Sequence, residues 1–529
     1  MIRALTAKES SYLSDPSEFT NFAYSFTLVE SKENERIEDL KTRAASALAL
    51  VAADNALLTA SICVANNSLV FRQNLDATIP LRVDEEGESL DVVVECGALN
   101  NMSLLYCVTL SISKQLIQQL IQQLELATPL HVFKHGLSRV VLVPNQSNKT
   151  KVGIVFTFAH AAFDGAVAAH IVFQFVRALK GIKEAEKKPA IEDFAQDMVP
   201  KTERTWSKFV RFILNLLGLY YFIYTAKPSL LRKAPQLSPD ESQILFESLK
   251  NTKGMHESAL NAQLTRIVTR HFTAQETAAI IQRAKSLKVS VTSLLGGAMG
   301  AAFASDQLLP PTPPASSKKS PVRQISLLTG LAVNGRPARS IPTAVNGAFN
   351  YVLLLPHVSI NITSTPQDLI RETDIQSLLI SHELKARLHR NEPYQLARFL
   401  PSQQLVAFKW SQQKSQDQGV TPKMYQLAPE KAKDSLPVGY TLSNVGNFLF
   451  SGGLGSGDTT TATPNNNEVV LDDFRFVSTM RCDINTRRIE LSVVTLDGKM
   501  TVAFSHLNGM VGHQDIDVLF DRFLTGLMG

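Results

Sequence analysis

The stretch Val152 to Phe158 (VGIVFTF) constrains this chain more than any other. Its residues are apolar, β-branched or aromatic almost without a break. A strand with one wet face alternates apolar and polar side chains, so an unbroken run describes a strand covered on both faces. A short turn follows, and then Val167, Ile171, Val172, Phe175, Val176 and Leu179 recur at helical spacing. The predicted unit is a buried strand with a helix packed on it. That unit belongs in a layered domain of α/β or α+β type.

The rest of the chain alternates in the same way. Glu38 to Asp54 carries apolar residues at helical spacing, and Cys63 to Phe71 reads as a short strand. Thr273 opens a helix with Glu276 three residues on, a capping box, and this helix runs through Ala284. After Lys288 to Ser290 comes a helix of small and apolar residues from Thr292 to Ala304. Strands are predicted at Gln324 to Val333, Asn350 to Leu355, Phe474 to Asp483 and Arg488 to Leu496, with a last helix near Asp515 to Leu527. The order argues for two comparable halves. Leu309 to Pro321 (LPPTPPASSKKSP) and Ser451 to Asn467 (SGGLGSGDTTTATPNNN) read as loops. Lys180 to Lys188, closed by Pro189, reads as a linker.

Composition removes several function classes. Of 529 residues, 44% are hydrophobic and 19% charged, which excludes a disordered tail and supplies large cores. A net charge of +5 over that length gives no basic stripe of the density that nucleic-acid binding needs. Four cysteines, Cys63, Cys96, Cys107 and Cys482, are too scattered for a disulfide framework or a CxxC metal knuckle. Met1 to Ser14 has no apolar core of the secretory type, so a reduced, cytoplasmic protein is expected. Phe209 to Ala226 (FVRFILNLLGLYYFIYTA) is apolar but interrupted by Arg211 and Asn215. A buried or substrate-lining helix, a membrane-surface helix and a membrane span all remain open for it. Residues 201–233 carry seven basic residues and one acidic, a local +6 that suits a membrane surface.

The buried strand leads into Ala159-His160-Ala161-Ala162-Phe163-Asp164-Gly165. An Asp at a helix start is a favoured N-cap, and a loop histidine is often only a hydrogen-bonded surface residue. The alternative is a general base, since imidazole accepts protons near neutral pH. His170 falls in a helical phase away from His160 and reads as a packed or surface histidine. His506 and His513 have no further ligands nearby in sequence to make a zinc set, and no metal site is expected.

HAAFDG matches the HxxxDG motif of the CoA-dependent acyltransferase superfamily, and here it stands between an apolar strand and a helix as that family requires. The superfamily includes chloramphenicol acetyltransferase, the plant BAHD enzymes, fungal alcohol acetyltransferases, mycobacterial polyketide-associated acyltransferases and nonribosomal-peptide condensation domains. LAVNGRPAR (Leu331 to Arg339) and NGAFNYVLLL (Asn346 to Leu355) resemble consecutive condensation-domain stretches. GYTLSNVGNF (Gly439 to Phe448) is similar to the Ser-Asn-x-Gly strand of alcohol acetyltransferase-like members. Ala159 replaces the first histidine of the HHxxxDG version, the BAHD signature DFGWG is missing, and the segment around 186–255 is longer than a condensation domain needs. No carrier-protein or adenylation segment accompanies it, which favours a stand-alone enzyme.

The resemblance implies two chloramphenicol acetyltransferase-like half-domains, each a mixed sheet flanked by helices, with an active-site tunnel between them. Residues 1–185 would form the first, 186–260 a linker or insertion, and 261–529 the second. His160 would be the catalytic base, in direct transfer without a covalent enzyme intermediate. Asp164 and Gly165 would be structural, with Arg336 the partner of Asp164. Asn350, Ser443 and Asn444 match strand segments that line the family's site and are candidates for holding substrate or oxyanion. Acyl-CoA would be a co-substrate with no resident cofactor. The acceptor would be a hydroxyl, of a hydrophobic alcohol or a secondary metabolite. A carrier-protein-dependent condensation enzyme and a catalytically inactive binding member of the fold stand as alternatives. A monomer is expected, with membrane contact through 201–233 left open.

Overall fold

The computed structural model of the protein describes residues 3–5, 22–30, 37–65, 68–73, 81–83, 137–144, 151–181, 213, 265–308, 324–334, 350–390, 439–449, 470–478, 488–507 and 513–529. The N-terminal part runs β1 (Arg3–Ala4), β2 (Phe22–Glu30), α1 (Ile37–Asp54), a 3-10 helix (Ala56–Thr59), β3 (Ala60–Ala65), β4 (Ser68–Gln73), β5 (Leu81–Val83), β6 (Ser138–Pro144), β7 (Lys151–Ala159) and α2 (Gly165–Leu179). The C-terminal part begins with β8 (Thr265–His271), α3 (Ala274–Ser286), α4 (Val291–Phe303), β9 (Gln324–Asn334), β10 (Asn350–Asn361) and α5 (Pro366–His389). It ends with β11 (Gly439–Phe448), β12 (Val470–Ser478), β13 (Arg488–Leu496), β14 (Lys499–Leu507) and α6 (His513–Met528).

Two mixed sheets organise the molecule. Among the described residues one has five strands in the order β12-β2-β7-β6-β5, the other six in the order β10-β9-β11-β13-β14-β8, and β1, β4 and β3 make a small third sheet. In sequence β12 lies between two strands of the larger sheet, yet it pairs antiparallel with β2 at the edge of the smaller one. Main-chain hydrogen bonds therefore tie the two halves together.

The buried strand is β7. Phe156 and Phe158 occupy one face, as period-two alternation requires. Phe156 meets Phe175 of α2 edge-on at 5.1 Å, and Phe158 meets Phe163 at 5.3 Å. Val155 and Thr157 point the other way and are buried too, so both faces are covered. In the larger sheet, Leu442, Leu491, Val502 and Phe504 pack with the helices. Phe504 sits 4.8 Å from Phe520 and 5.1 Å from Phe523 of α6. Tyr440, fully buried on β11, donates from Oη to the Gly296 carbonyl of α4 at 2.6 Å, and burial pushes its phenol well above the ordinary range.

The capping box at Thr273 and Glu276 is present in full. Three expectations change. The segment Cys63 to Phe71 belongs to two antiparallel strands rather than one, with Ala65 paired to Ser68 and Cys63 to Val70. The strand placed at 474–483 lies at Val470–Ser478, and that at 350–355 continues to Asn361 past a register shift between His357 and Ile360. Helix α5 gave no apolar stripe, because its buried face is largely polar: Glu372, Thr373, Gln376, Ser377 and Ser381 beside Leu369 and Ile380. Glu372 is satisfied by Asn361, through N at 3.2 Å and Nδ2 at 2.9 Å, and by Gln376 Nε2 at 2.8 Å. The two predicted loops lie outside the described residues, as does the 186–260 segment except Ile213, which is helical and exposed. Among the described residues no single helix is long and apolar enough to cross a membrane.

Candidate active site

The chain turns sharply after β7. The amides of Ala162 and Phe163 both donate to the Ala159 carbonyl, at 2.9 and 3.1 Å. Ala161, Ala162 and Phe163 are fully buried, and this packing carries His160 out at the end of the sheet, itself only partly buried. His160 Nδ1 lies 3.0 Å from the Phe163 carbonyl. A carbonyl can only accept, so Nδ1 is the protonated nitrogen and the neutral ring carries its lone pair on Nε2. The main chain thus fixes the tautomer that a base needs.

Asp164, 2% exposed, is the N-cap of α2, and its Oδ1 accepts from the Val167 amide at 3.1 Å. Gly165 follows at the first helical position. A Cβ there would stand 3.0 Å from Val445 Cγ2 of β11 and 3.1 Å from Phe476 Cζ of β12. A larger residue would fit only if these two side chains gave way by a few tenths of an ångström. Phe173 of α2 packs 4.9 Å from Phe448 and 5.0 Å from Phe474, so the same two strands grip the helix one face further along.

The candidates on the larger sheet separate in position. Tyr440 and Leu442 face the helix side of β11, which places Ser443 on the opposite face, the one Val445 turns toward Gly165. Asn444 is held at both ends: Oδ1 accepts from the Gly446 amide at 3.1 Å and Nδ2 reaches Thr292 Oγ1 at 3.1 Å. Asn350 opens β10 opposite Asn334, and β9 separates β10 from β11. Arg336 lies outside the described residues. His170 is partly buried on α2 and His506 is buried on β14. Among the described residues no group of three His, Cys, Asp or Glu is placed to hold a metal.

Sequence reasoning does not find Phe163, whose carbonyl meets His160 Nδ1, nor Val445 and Phe476, which close on Gly165. The Asn-x-Gly of β11 was a usable signal for the first strand, since glycine after asparagine marks irregular backbone. Phe476 offered none, because its contact arises only when β12 crosses to the other sheet.

No protein-family model matches the chain, and no curated protein matches it. Solved structures do. Trichothecene 15-O-acetyltransferase from Fusarium sporotrichioides superposes with a TM-score of 0.61 at 11% identity, over 99% of this chain and 94% of that one. TRI101 of Fusarium sporotrichioides, solved with coenzyme A and T-2, gives 0.52 at 10% identity over 98% and 96%. The condensation domain of the monacolin K polyketide synthase MokA gives 0.53 at 12% identity over 99% and 96%. The chain therefore has the two-lobed mixed α/β fold of the CoA-dependent acyltransferases and condensation domains.

Proposed function

We propose that this protein is an acyltransferase that moves an acyl group from acyl-CoA to an acceptor hydroxyl. One observation carries the reading: the Nδ1 contact to the Phe163 carbonyl, which presents Nε2 of His160 as the base. In the proposed reaction Nε2 takes the acceptor's hydroxyl proton as the oxygen attacks the thioester carbonyl. The tetrahedral adduct then collapses, the carbon–sulfur bond breaks, and the imidazolium returns the proton to the departing thiolate. The enzyme is never acylated. General-base catalysis of this kind is worth about 10²–10⁴ in rate. Ser443 and Asn350 are the proposed hydrogen-bond donors to the oxyanion. Asp164, paired with Arg336, keeps the turn in place. Coenzyme A would enter a tunnel between the lobes from one side and a hydrophobic alcohol or secondary metabolite from the other. We place the reaction in the cytoplasm, in a monomeric enzyme with a peripheral membrane contact through 201–233.

The likeness to a condensation domain favours a second reading, in which the donor thioester rides on a carrier protein. A thiol-release assay over acyl-CoA donors and alcohol acceptors, with mass spectrometry of the products, separates the two. Ester formation from acyl-CoA alone supports the first. Turnover only with an acylated carrier protein supports the second. Absence of product from either donor contradicts both and leaves a binding protein.

A further inference from the structure

Strand β11 changes register at the point where it meets the catalytic turn. It pairs in parallel with β13 up to Asn444 opposite Val493, and resumes with Gly446 opposite Val494. Val445 is the extra residue of a bulge, a device that re-aims a side chain and bends its strand. Gly446 has φ +116°, a conformation that suits glycine and pins the bulge to this position. The Asn444 side chain closes it, its Oδ1 accepting from the Gly446 amide at 3.1 Å. Asn444 Nδ2 also ties the bulge to Thr292 Oγ1 at the start of α4, at 3.1 Å. The aimed side chain is Val445, whose Cγ2 lies 3.0 Å from where a Cβ on Gly165 would be.

These contacts form one chain: α4, Asn444, Val445, Gly165, then Asp164 and the turn that bears His160. We infer that Asn444 is a positioning residue, acting through the Val445 bulge to hold the His160 turn of the smaller sheet in place from the larger one. The inference deepens the proposed acyl transfer and rests on it. It also assigns Asn444 a role apart from direct contact with the oxyanion. Displacements of about 1 Å in an active site cost up to about a hundredfold in rate, so a small relaxation of the bulge is enough to be read kinetically.

Charge distinguishes the two roles. In Asn444→Asp one carboxylate oxygen still accepts from the Gly446 amide and the other accepts from the Thr292 hydroxyl, so the bulge survives. A carboxylate in place of an oxyanion donor would instead repel the developing charge. Steady-state thiol release is measured for wild type, Asn444→Ala, Asn444→Asp and Tyr440→Phe, which loosens β11 from α4 away from the bulge. The expected order is a fall in kcat of about ten- to a hundredfold for Asn444→Ala with KM little changed. Asn444→Asp should recover most of that, and Tyr440→Phe should keep wild-type kcat despite a lower Tm. Asn444→Asp worse than Asn444→Ala overturns the inference, and so does Tyr440→Phe losing activity in proportion to its stability. Hydrogen exchange at the first turn of α2 is read on the same proteins and needs no turnover. It should quicken in Asn444→Ala and not in Asn444→Asp, and unchanged exchange in Asn444→Ala overturns the inference. A wild type that releases no thiol fails the acyl-transfer reading instead, with the exchange result still deciding whether Asn444 holds the turn.

Discussion

Asp164 has one job that the structure shows and a second that is proposed, and substitution can separate them. As an N-cap its carboxylate satisfies the Val167 amide, and asparagine performs that task about as well. As the proposed partner of Arg336 it must carry charge. Asp164→Ala should lose the cap, about 0.5–2 kcal/mol. Asp164→Asn should keep the cap and still lose about 3–5 kcal/mol through the stranded arginine. Chemical denaturation measures both, and a wild-type stability for Asp164→Asn contradicts the pairing. Gly165→Ala forces a methyl against Val445 and Phe476, and overpacking of this kind costs about 1–3 kcal/mol. Because Val445 belongs to the other sheet, the same change should displace His160 and lower kcat. A fully active Gly165→Ala would mean the two strands yield freely.

The elements explain which parts of the fold were legible in sequence. Strand β7 and helix α2 were readable because both are local patterns, an apolar run and a helical period, joined by a favoured N-cap. The same is true of α3, where the Thr273–Glu276 box is written in adjacent residues. Helix α5 was not readable from periodicity, since its buried face is largely polar and finds partners in β10 and α4. Only its start, Thr365 capping with Pro366 behind it, carried a local signal. Its contact with α4 depends on Gly297, where a Cβ would meet Ser377 and stand 2.6 Å from the Thr373 carbonyl. Gly297→Ala should therefore lower the melting temperature clearly, and an unchanged value would contradict this packing. The α3 box also predicts a pH dependence. The Thr273 main-chain amide, more than Arg270, holds the Glu276 carboxyl below its ordinary 4.5. A lowered carboxylate stabilises the fold fully above that ordinary value and ceases to as pH falls through its folded value. The stability gap between wild type and Glu276→Gln should close toward acid pH, and a pH-independent gap would contradict it.

At the scale of the molecule, the two sheets are not independent. β12 completes the smaller sheet from the C-terminal half, and β11 of the larger sheet reaches the helix that follows the His160 turn. Local patterns disclosed the turn, but not what surrounds it, because the contacts on Gly165 join residues roughly three hundred positions apart and the β12–β2 pairing joins residues roughly four hundred and fifty apart. That arrangement gives His160 a fixed tautomer and a fixed backdrop, both of which direct acyl transfer requires. The central claim is that His160 is the base. Its most direct test is the rate of thiol release by wild type and by His160→Ala with the same acyl-CoA and alcohol, both proteins shown to be folded by circular dichroism. The account predicts a loss of about 10²–10⁴ with an unchanged melting curve. A His160→Ala protein that releases thiol at the wild-type rate would contradict it.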